Sequence, residues 1–434
     1  MTAQNDLDLT LDTWFAAEAA PLPPPEPLSR IIELTRSQRP RRALVAGIGS
    51  HWVSGSPRGV VGRSTAGRPL AVIALVALVA LALVTGAILI GRQAIPHRTY
   101  LDEVVSAPDL SQDFAHPIAV PLTDGRVLIM GAGSDGDGHP TTAVVYDPSS
   151  GASTPVGPFA TPADREEISA AVRLSDGRVF ITGNGAPQTF DPATLQFTAV
   201  GPMVTDRTDP ALALLRDGRV LIAGGRDSKD EWLGSAELFD PVTGTFSATG
   251  SMAEVGPAYA EEAIATLPDG RVLLGDGVAT VYDPATGAFS SHGRNDAFRD
   301  WRVIVTQDGR VVVLGRSGIG TRTGHAATWD PASGAFTEVL TTAPGYTIDR
   351  AALLDDGRIL VMGGNEGLRW AGIFDLETRV TKKIDPSKAW WPTVTRLDDG
   401  RVLFVGGVND WNLRLCPTLG CVSAPAVKTV EIFQ

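Results

Sequence analysis

DGRVLIAGG, running from Asp217 to Gly225, is one of seven copies of a pattern that decides the fold of this chain. Asp-Gly-Arg followed by β-forming residues recurs at Asp124, Asp176, Asp217, Asp269, Asp308, Asp356 and Asp399, with copies 39 to 52 residues apart. A second β-rich run precedes each clear copy: ALALLR before Asp217, RAALLD before Asp356 and TVTRLD before Asp399. Two such runs joined through Asp-Gly predict a hairpin, because glycine takes the positive φ that a tight turn needs. Each repeat then carries a second turn signal, as in VVYDPSSGAST from Val144, ELFDPVTGTFSATG from Glu237, TVYDPATGAFSSHG from Thr280 and ATWDPASGAFTEV from Ala327. Phe190-Asp191-Pro192 and the altered Phe374-Asp375-Leu376 mark further copies. Asp-Pro opens a turn and the following glycine closes it, between aromatic or β-branched flanks.

One repeat is therefore four short antiparallel strands, and a spacing of this size means stacked or radial units. Seven radial sheets make an all-β, seven-bladed β-propeller, which protects nearly all its strand edges. The last repeat stops at a third-strand pattern, Val430 to Phe433, so a fourth strand has to come from elsewhere. Asp102 to Ala107 aligns with the fourth-strand pattern Phe246 to Thr249 and is expected to complete the seventh sheet.

These repeats resemble Kelch-type propellers, in particular the central domain of galactose oxidase, over residues 101–434. The double glycine of that family stands at Gly224-Gly225, Gly363-Gly364 and Gly406-Gly407, and is eroded at Gly131-Ala132, Gly183-Asn184, Gly275-Asp276 and Gly315-Arg316. The resemblance to galactose oxidase implies a copper-radical site of two Tyr, two His and a Cys crosslinked to one Tyr. Only His116, His139, His292 and His325 fall in the repeats, no Tyr-His pair occurs, and both cysteines lie together in the last repeat. Copper needs clustered imidazole and thiolate or phenolate ligands. His116 and His325 read instead as solvated or capping residues, and no Ser/His/Asp constellation emerges from spacing. The expectation is a non-catalytic protein without cofactor or metal, a degenerate oxidase being the remoter alternative. Ser134 to Gly138 (SDGDG) has a calcium-loop look but lacks the later Glu, and reads as an ordinary turn.

Upstream of the repeats the chain changes character. Leu70 to Ile90 is a 21-residue run without a charge, long enough to cross a bilayer as a single transmembrane helix. It lies too far from the N-terminus for a cleaved leader. Arg58, Arg63 and Arg68 flank its N-terminal side, so the positive-inside rule puts residues 1–69 in the cytoplasm and the propeller outside, at the cell membrane. Residues 1–69 form a tail, partly helical or disordered: Asp6 to Ala20 and Pro27 to Arg36 have helical patterns around the Pro-rich PLPPPEP. This tail resembles the cytoplasmic ends of membrane-tethered anti-sigma factors, without their zinc-binding His/Cys pattern, which implies an alternative role in transmembrane signalling to a cytoplasmic regulator. Residues 91–100 form a linker.

The net charge of the chain is −12, and beyond residue 91 the balance is 29 basic against 43 acidic residues, which argues against nucleic acid as a partner. Only five of its 37 basic residues are Lys, an Arg- and Ala-rich bias typical of GC-rich bacterial genomes. Cys416 and Cys421 flank Pro417 and Gly420 in one loop, a spacing suited to a small disulfide outside the cell.

Both regular turns, Asp-Gly and Asp-Pro, join strands at the same end of the propeller, so all irregular connections share the opposite face. A fourth strand runs from the regular end to the irregular one. The chain arriving from the membrane thus enters at the regular end, and the irregular face points away. Its loops carry Asp209, Arg226, Trp232, Asp300, Arg350, Glu366, Trp370, Trp391 and Trp411. Exposed Trp and Arg are frequent interface anchors. These nine residues are the candidate face for a protein or glycan partner.

Overall fold

The computed structural model describes residues 100–132, 141–160, 168–183, 185–253, 263–275, 277–297, 299–317, 323–365, 368–389, 391–407 and 427–434. The predicted tail, membrane span and nearly all of the linker lie outside the described residues, and among the described residues no helix is long and apolar enough to cross a membrane.

Seven four-stranded antiparallel sheets make up the described chain, which contains no helix there. Blades 1 to 6 occupy 115–156, 168–199, 211–251, 264–294, 299–341 and 350–384 in simple sequence order. Blade 7 combines three strands within 393–433 with Val104–Ala107, which pairs antiparallel with Val430–Phe433. The fourth strand of the last sheet thus precedes all the others in the chain.

The second strand of each blade is the most apolar because neighbouring blades cover both its faces. Val127 to Met130, Val220 to Ala223 and Val402 to Val405 are all buried. Innermost strands are rich in small residues, as in Ala211–Leu214 and Arg350–Leu353, where seven sheets crowd towards the axis. One aromatic recurs at the end of each third strand: Tyr146, Phe190, Phe239, Tyr282, Trp329, Phe374 and Phe433, each at most 2% exposed. It stands opposite the first aliphatic residue after each Asp-Gly-Arg, for example Val127↔Tyr146 and Ile359↔Phe374. Seven apolar clusters result, one at each interface between adjacent blades, including the cluster of Phe114, Tyr146, Leu403 and Val430 that joins blade 7 to blade 1.

The Asp-Gly-Arg hairpins use a three-residue loop. Leu122 N–H donates to the Arg126 carbonyl at 2.8 Å, Gly125 N–H returns to the Leu122 carbonyl at 3.1 Å, and Gly125 has φ +86°. This is a turn followed by a left-handed residue, which glycine adopts without strain. The Asp and Arg of each copy pair with one another at 2.6 to 2.8 Å. The guanidinium also reaches the next blade in several copies. Arg126 donates to the Pro192 carbonyl at 3.0 Å, Arg178 to Pro241 at 3.0 Å, and Arg401 closes the ring on Pro148 at 3.3 Å. Arg310 pairs with Glu377 at 2.7 Å. Blade 7 has no Asp-Pro turn, and there Arg358 finds Asp102 at 2.9 Å, with Lys382 on the same carboxylate at 2.8 Å.

The Asp-Pro turns are fixed from their own aspartates. Asp147 accepts from the Ser149 hydroxyl at 2.6 Å, the Ser150 hydroxyl at 2.7 Å and the Ser149 N–H at 2.8 Å, which lowers its pKa from 3.8 to about 2. The Arg126 and Arg219 hydrogen bonds likewise hold Asp124 and Asp217 below the usual range. A carboxyl whose pKa is depressed by folding adds stability above its unfolded value, and that stability disappears as pH falls through the folded value. The melting midpoint should therefore stay level from about pH 7 to 5 and fall between about pH 4 and 2. Asp147→Asn should melt below the parent at neutral pH, and the gap should close near pH 2; a gap that persists there on a circular-dichroism titration contradicts the assignment.

Candidate functional site

Each innermost strand is entered from the irregular face, and three blades share one distinctive conformation there. Asp209, Asp300 and Trp391 each stand eight residues before the Asp of their own Asp-Gly-Arg, in blades 3, 5 and 7. All three adopt left-handed backbone, with φ of 51°, 53° and 49°. Side chains rarely take this region, least of all an aromatic one, and such strain concentrates at functional positions. Three of the nine face residues thus share one structural position in alternate blades. No pattern of residue types marks it, because the position carries Asp twice and Trp once.

Their surroundings differ. Asp209 is exposed, and its N–H donates to the Ser169 hydroxyl at 3.1 Å. Asp300 pairs with Arg316, while its carbonyl accepts from Arg302 at 2.8 Å. Trp391 is half-buried beside Pro392, whose carbonyl accepts from Arg350 at 3.2 Å. The axial mouth on this face is therefore of mixed charge, with Arg302, Arg316 and Arg350 set among the aspartates. At the opposite, regular end guanidiniums tie the innermost strands of different blades together. Arg173 of blade 2 donates to the blade 1 Pro121 carbonyl at 3.1 Å and reaches past that blade to Asp398 of blade 7 at 2.8 Å. Arg396 pairs with Asp355 there.

Arg226 and Trp232 lie together in the blade 3 loop and complete one another. The guanidinium sits 4.1 Å over the indole ring and pairs with Asp230 at 2.6 Å. The loop is pinned to the entry segment by Arg226 N–H donating to the Thr208 carbonyl at 2.8 Å. Glycine is required just before it, since a Cβ on Gly225 would lie 2.4 Å from that carbonyl.

Trp370 corrects an expectation from sequence. It is not an exposed loop residue but 2% exposed, and its indole N–H donates to the Thr347 carbonyl at 2.9 Å. The reason is register. Asn365 already pairs with Leu368, so the connection is only two residues long and Trp370 lies inside the third strand, opposite Gly363. Glu366, Trp411, Cys416 and Cys421 lie outside the described residues.

The structure brings Arg350, Trp370 and Trp391 to one cleft between blade 6 and the connection to blade 7. The cleft is small, and Asp349, Gly363, Arg369 and Pro392 also line it. Its outer wall is clamped by charged side chains. Buried Glu431 accepts from the Ser387 hydroxyl and from Lys388 N–H at 2.8 Å, and Arg369 donates to the Ser387 carbonyl at 2.7 Å. Blade 3 uses the same device more deeply. Glu237, 1% exposed, accepts from Val204 N–H at 2.7 Å and Thr205 N–H at 2.8 Å, and pairs with buried Arg207 at 2.7 Å. Gln188 of blade 2 accepts from Ala160 N–H at 2.9 Å. These buried acceptors at one third-strand position escape sequence reading, because their partners are backbone N–H groups roughly 30 to 40 residues distant.

No family model matches the chain, and no curated protein matches it. Among solved structures the chain is similar to a fungal alcohol oxidase of the AA5 family in complex with copper, with 17% identity, a TM-score of 0.56, and coverage of 76% of this chain and 75% of that one. At this identity the likeness shows a shared propeller fold. Among the described residues, no group of three His, Cys, Asp or Glu could hold a metal ion. Tyr100, Tyr282, His292 and His325 stand in different blades or at the ring seam, each bonded locally. Tyr100 donates to the Gly400 carbonyl, Tyr282 bonds Thr249 at 3.0 Å, and His292 bonds Ser290 at 2.9 Å. His325, expected to be solvated or capping, is held between Thr323 at 2.8 Å and Glu338 at 2.9 Å with a side chain only 14% exposed. These residues do not fit a copper-radical centre.

Proposed function

We propose that this chain is a bacterial, membrane-anchored binding protein whose Kelch-like propeller lies outside the cell and takes a protein or glycan ligand on its irregular face. The observation that carries this reading is the sharing of one strained backbone position by Asp209, Asp300 and Trp391 on the face that also holds the cleft. The regular end is occupied by structural contacts, with each Arg of the hairpins paired to its own Asp. The described chain enters blade 7 at that regular end, through Tyr100 and Asp102, so a span at residues 70–90 would leave the irregular face outward.

The test uses the full chain in nanodiscs, incubated with isolated envelope polysaccharide and surface-protein fractions. Trp391→Ala combined with Asp209→Arg should abolish retention, whereas Val242→Arg, at a 92% exposed site on a regular turn, should not. Equal retention by both variants would remove the irregular face from the reading. Location is tested separately: a membrane-impermeant thiol reagent should label Cys416 and Cys421 in intact cells only after reduction, and labelling that needs cell lysis would reverse the orientation.

A further inference from the structure

Blade 7 holds part of the irregular face through a strand that belongs to no hairpin. Residues 385–389 leave the last strand of blade 6 on the irregular side and lead towards Trp391. Glu431, 3% exposed, takes the Ser387 hydroxyl and the Lys388 N–H, and Ala389 N–H donates to the Ser387 hydroxyl oxygen at 3.3 Å. Glu431 stands opposite Ser106 of the closing strand Val104–Ala107, and the Lys388 ammonium donates to the Ser106 hydroxyl. The closing strand thus backs the carboxylate on which this connection hangs, and contacts the connection itself.

Blade 3 holds Val204 and Thr205 in the same way through Glu237, which stands opposite Ala248. The difference lies in the fourth strand. Thr245–Ser251 follows its third strand through a short turn, whereas Val104–Ala107 is joined to Val430–Phe433 by no turn. It can therefore leave its sheet while every hairpin stays intact. Water would then reach the Glu431 carboxylate and compete for it with Ser387 and Lys388, and Lys388 would lose Ser106. We propose that the closing strand is a strap with two states, docked and released, and that its release frees residues 387–389 and with them the mouth position of Trp391. Coupling of this kind is reciprocal. A partner that prefers the docked arrangement at Trp391 tightens the strap, and tension on the chain before Tyr100 loosens the mouth. That use rests on the binding-face reading above, whereas the coupling is a property of the ring and is tested without ligand.

The test is amide hydrogen exchange on the full chain in nanodiscs, with two variants that act on the strap and leave residues 387–389 untouched. Asp102→Ala removes the pairing with Arg358 and Lys382, roughly 13 Å along the strand from Ser106. Val105→Pro breaks the ladder itself. The Val430–Phe433 amides report release of the strap. In Val105→Pro the Lys388 and Ala389 amides should lose protection with them, roughly tenfold or more, and in Asp102→Ala by a smaller factor. The Val204 and Thr205 amides should keep theirs in both. Release of the strap without change at Lys388 and Ala389 overturns the coupling. Equal loss at Val204 and Thr205 overturns it too, because the ring would then loosen as a whole. If neither variant exposes the Val430–Phe433 amides, the released state does not exist and the proposal fails; if Val105→Pro prevents folding, Asp102→Ala decides alone. Should the coupling fail while the paired Trp391→Ala and Asp209→Arg substitutions still abolish envelope retention, the binding-face reading stands without it.

Discussion

Replacing Arg207 with alanine is expected to destabilise the propeller by about 3–5 kcal/mol, the usual cost of orphaning one member of a buried ion pair. Its guanidinium is inaccessible and does more than neutralise Glu237. It donates to the Gly224 carbonyl at 2.7 Å and the Ser235 carbonyl at 2.9 Å, while Glu237 holds the two N–H groups of Val204 and Thr205. At roughly 2 °C per kcal/mol for a domain of this size, the melting midpoint should fall by about 6–10 °C. Many buried pairs can be exchanged for apolar residues at little cost. This one should not tolerate it, because Arg207→Met with Glu237→Leu leaves backbone donors and acceptors buried without partners. A double variant as stable as the parent on thermal melting would show that water or a shifted loop replaces the pair.

A loss of similar size is expected at the closure of the ring. Tyr100 is 7% exposed, stacks on Phe433 with centroids 5.4 Å apart, donates to the Gly400 carbonyl at 2.6 Å and accepts from Asp355 N–H at 3.0 Å. Burial raises its pKa, so the phenol stays protonated as a donor at neutral pH. Tyr100→Ala should cost about 3–5 kcal/mol, as other large aromatic truncations do. Tyr100→Phe, which keeps the stack and loses the hydroxyl, should cost about 1–3 kcal/mol. Hydrogen exchange locates the effect: the Val430–Phe433 amides should lose protection in Tyr100→Ala before those of blades 3 and 4. Uniform loss of protection across all blades would mean that the ring opens as one unit rather than at its seam.

What could be read from the sequence was what the chain writes locally. Each Asp-Gly-Arg hairpin and each Asp-Pro turn is complete within about a dozen residues, so turn chemistry alone reveals it, and seven repetitions leave the propeller as the reading. The recurring Arg was recognisable as structural for the same reason, since a residue present in every blade serves every blade. The face was less legible. Trp370 follows Asn365 and Glu366, which look like loop residues, yet a two-residue connection returns the chain to the strand and turns the indole inward. Trp232 does stand in its loop, but under the Arg226 guanidinium. The left-handed position of Asp209, Asp300 and Trp391 emerges only when the blades are aligned on their Asp-Gly-Arg turns, because it belongs to backbone geometry rather than to residue type.

The pairing of Val104–Ala107 with Val430–Phe433 also fixes how the propeller meets mechanical load. The closing strand runs from the regular end towards the irregular one, so a pull on Tyr100 away from the ring acts along the strand axis. The ladder bonds, together with the Asp102 contacts to Arg358 and Lys382, then bear tension in parallel and fail in shear, not one at a time as in an unzipping hairpin. A ligand held at the far face would place the seam along that line of force, where shear geometry resists rupture best.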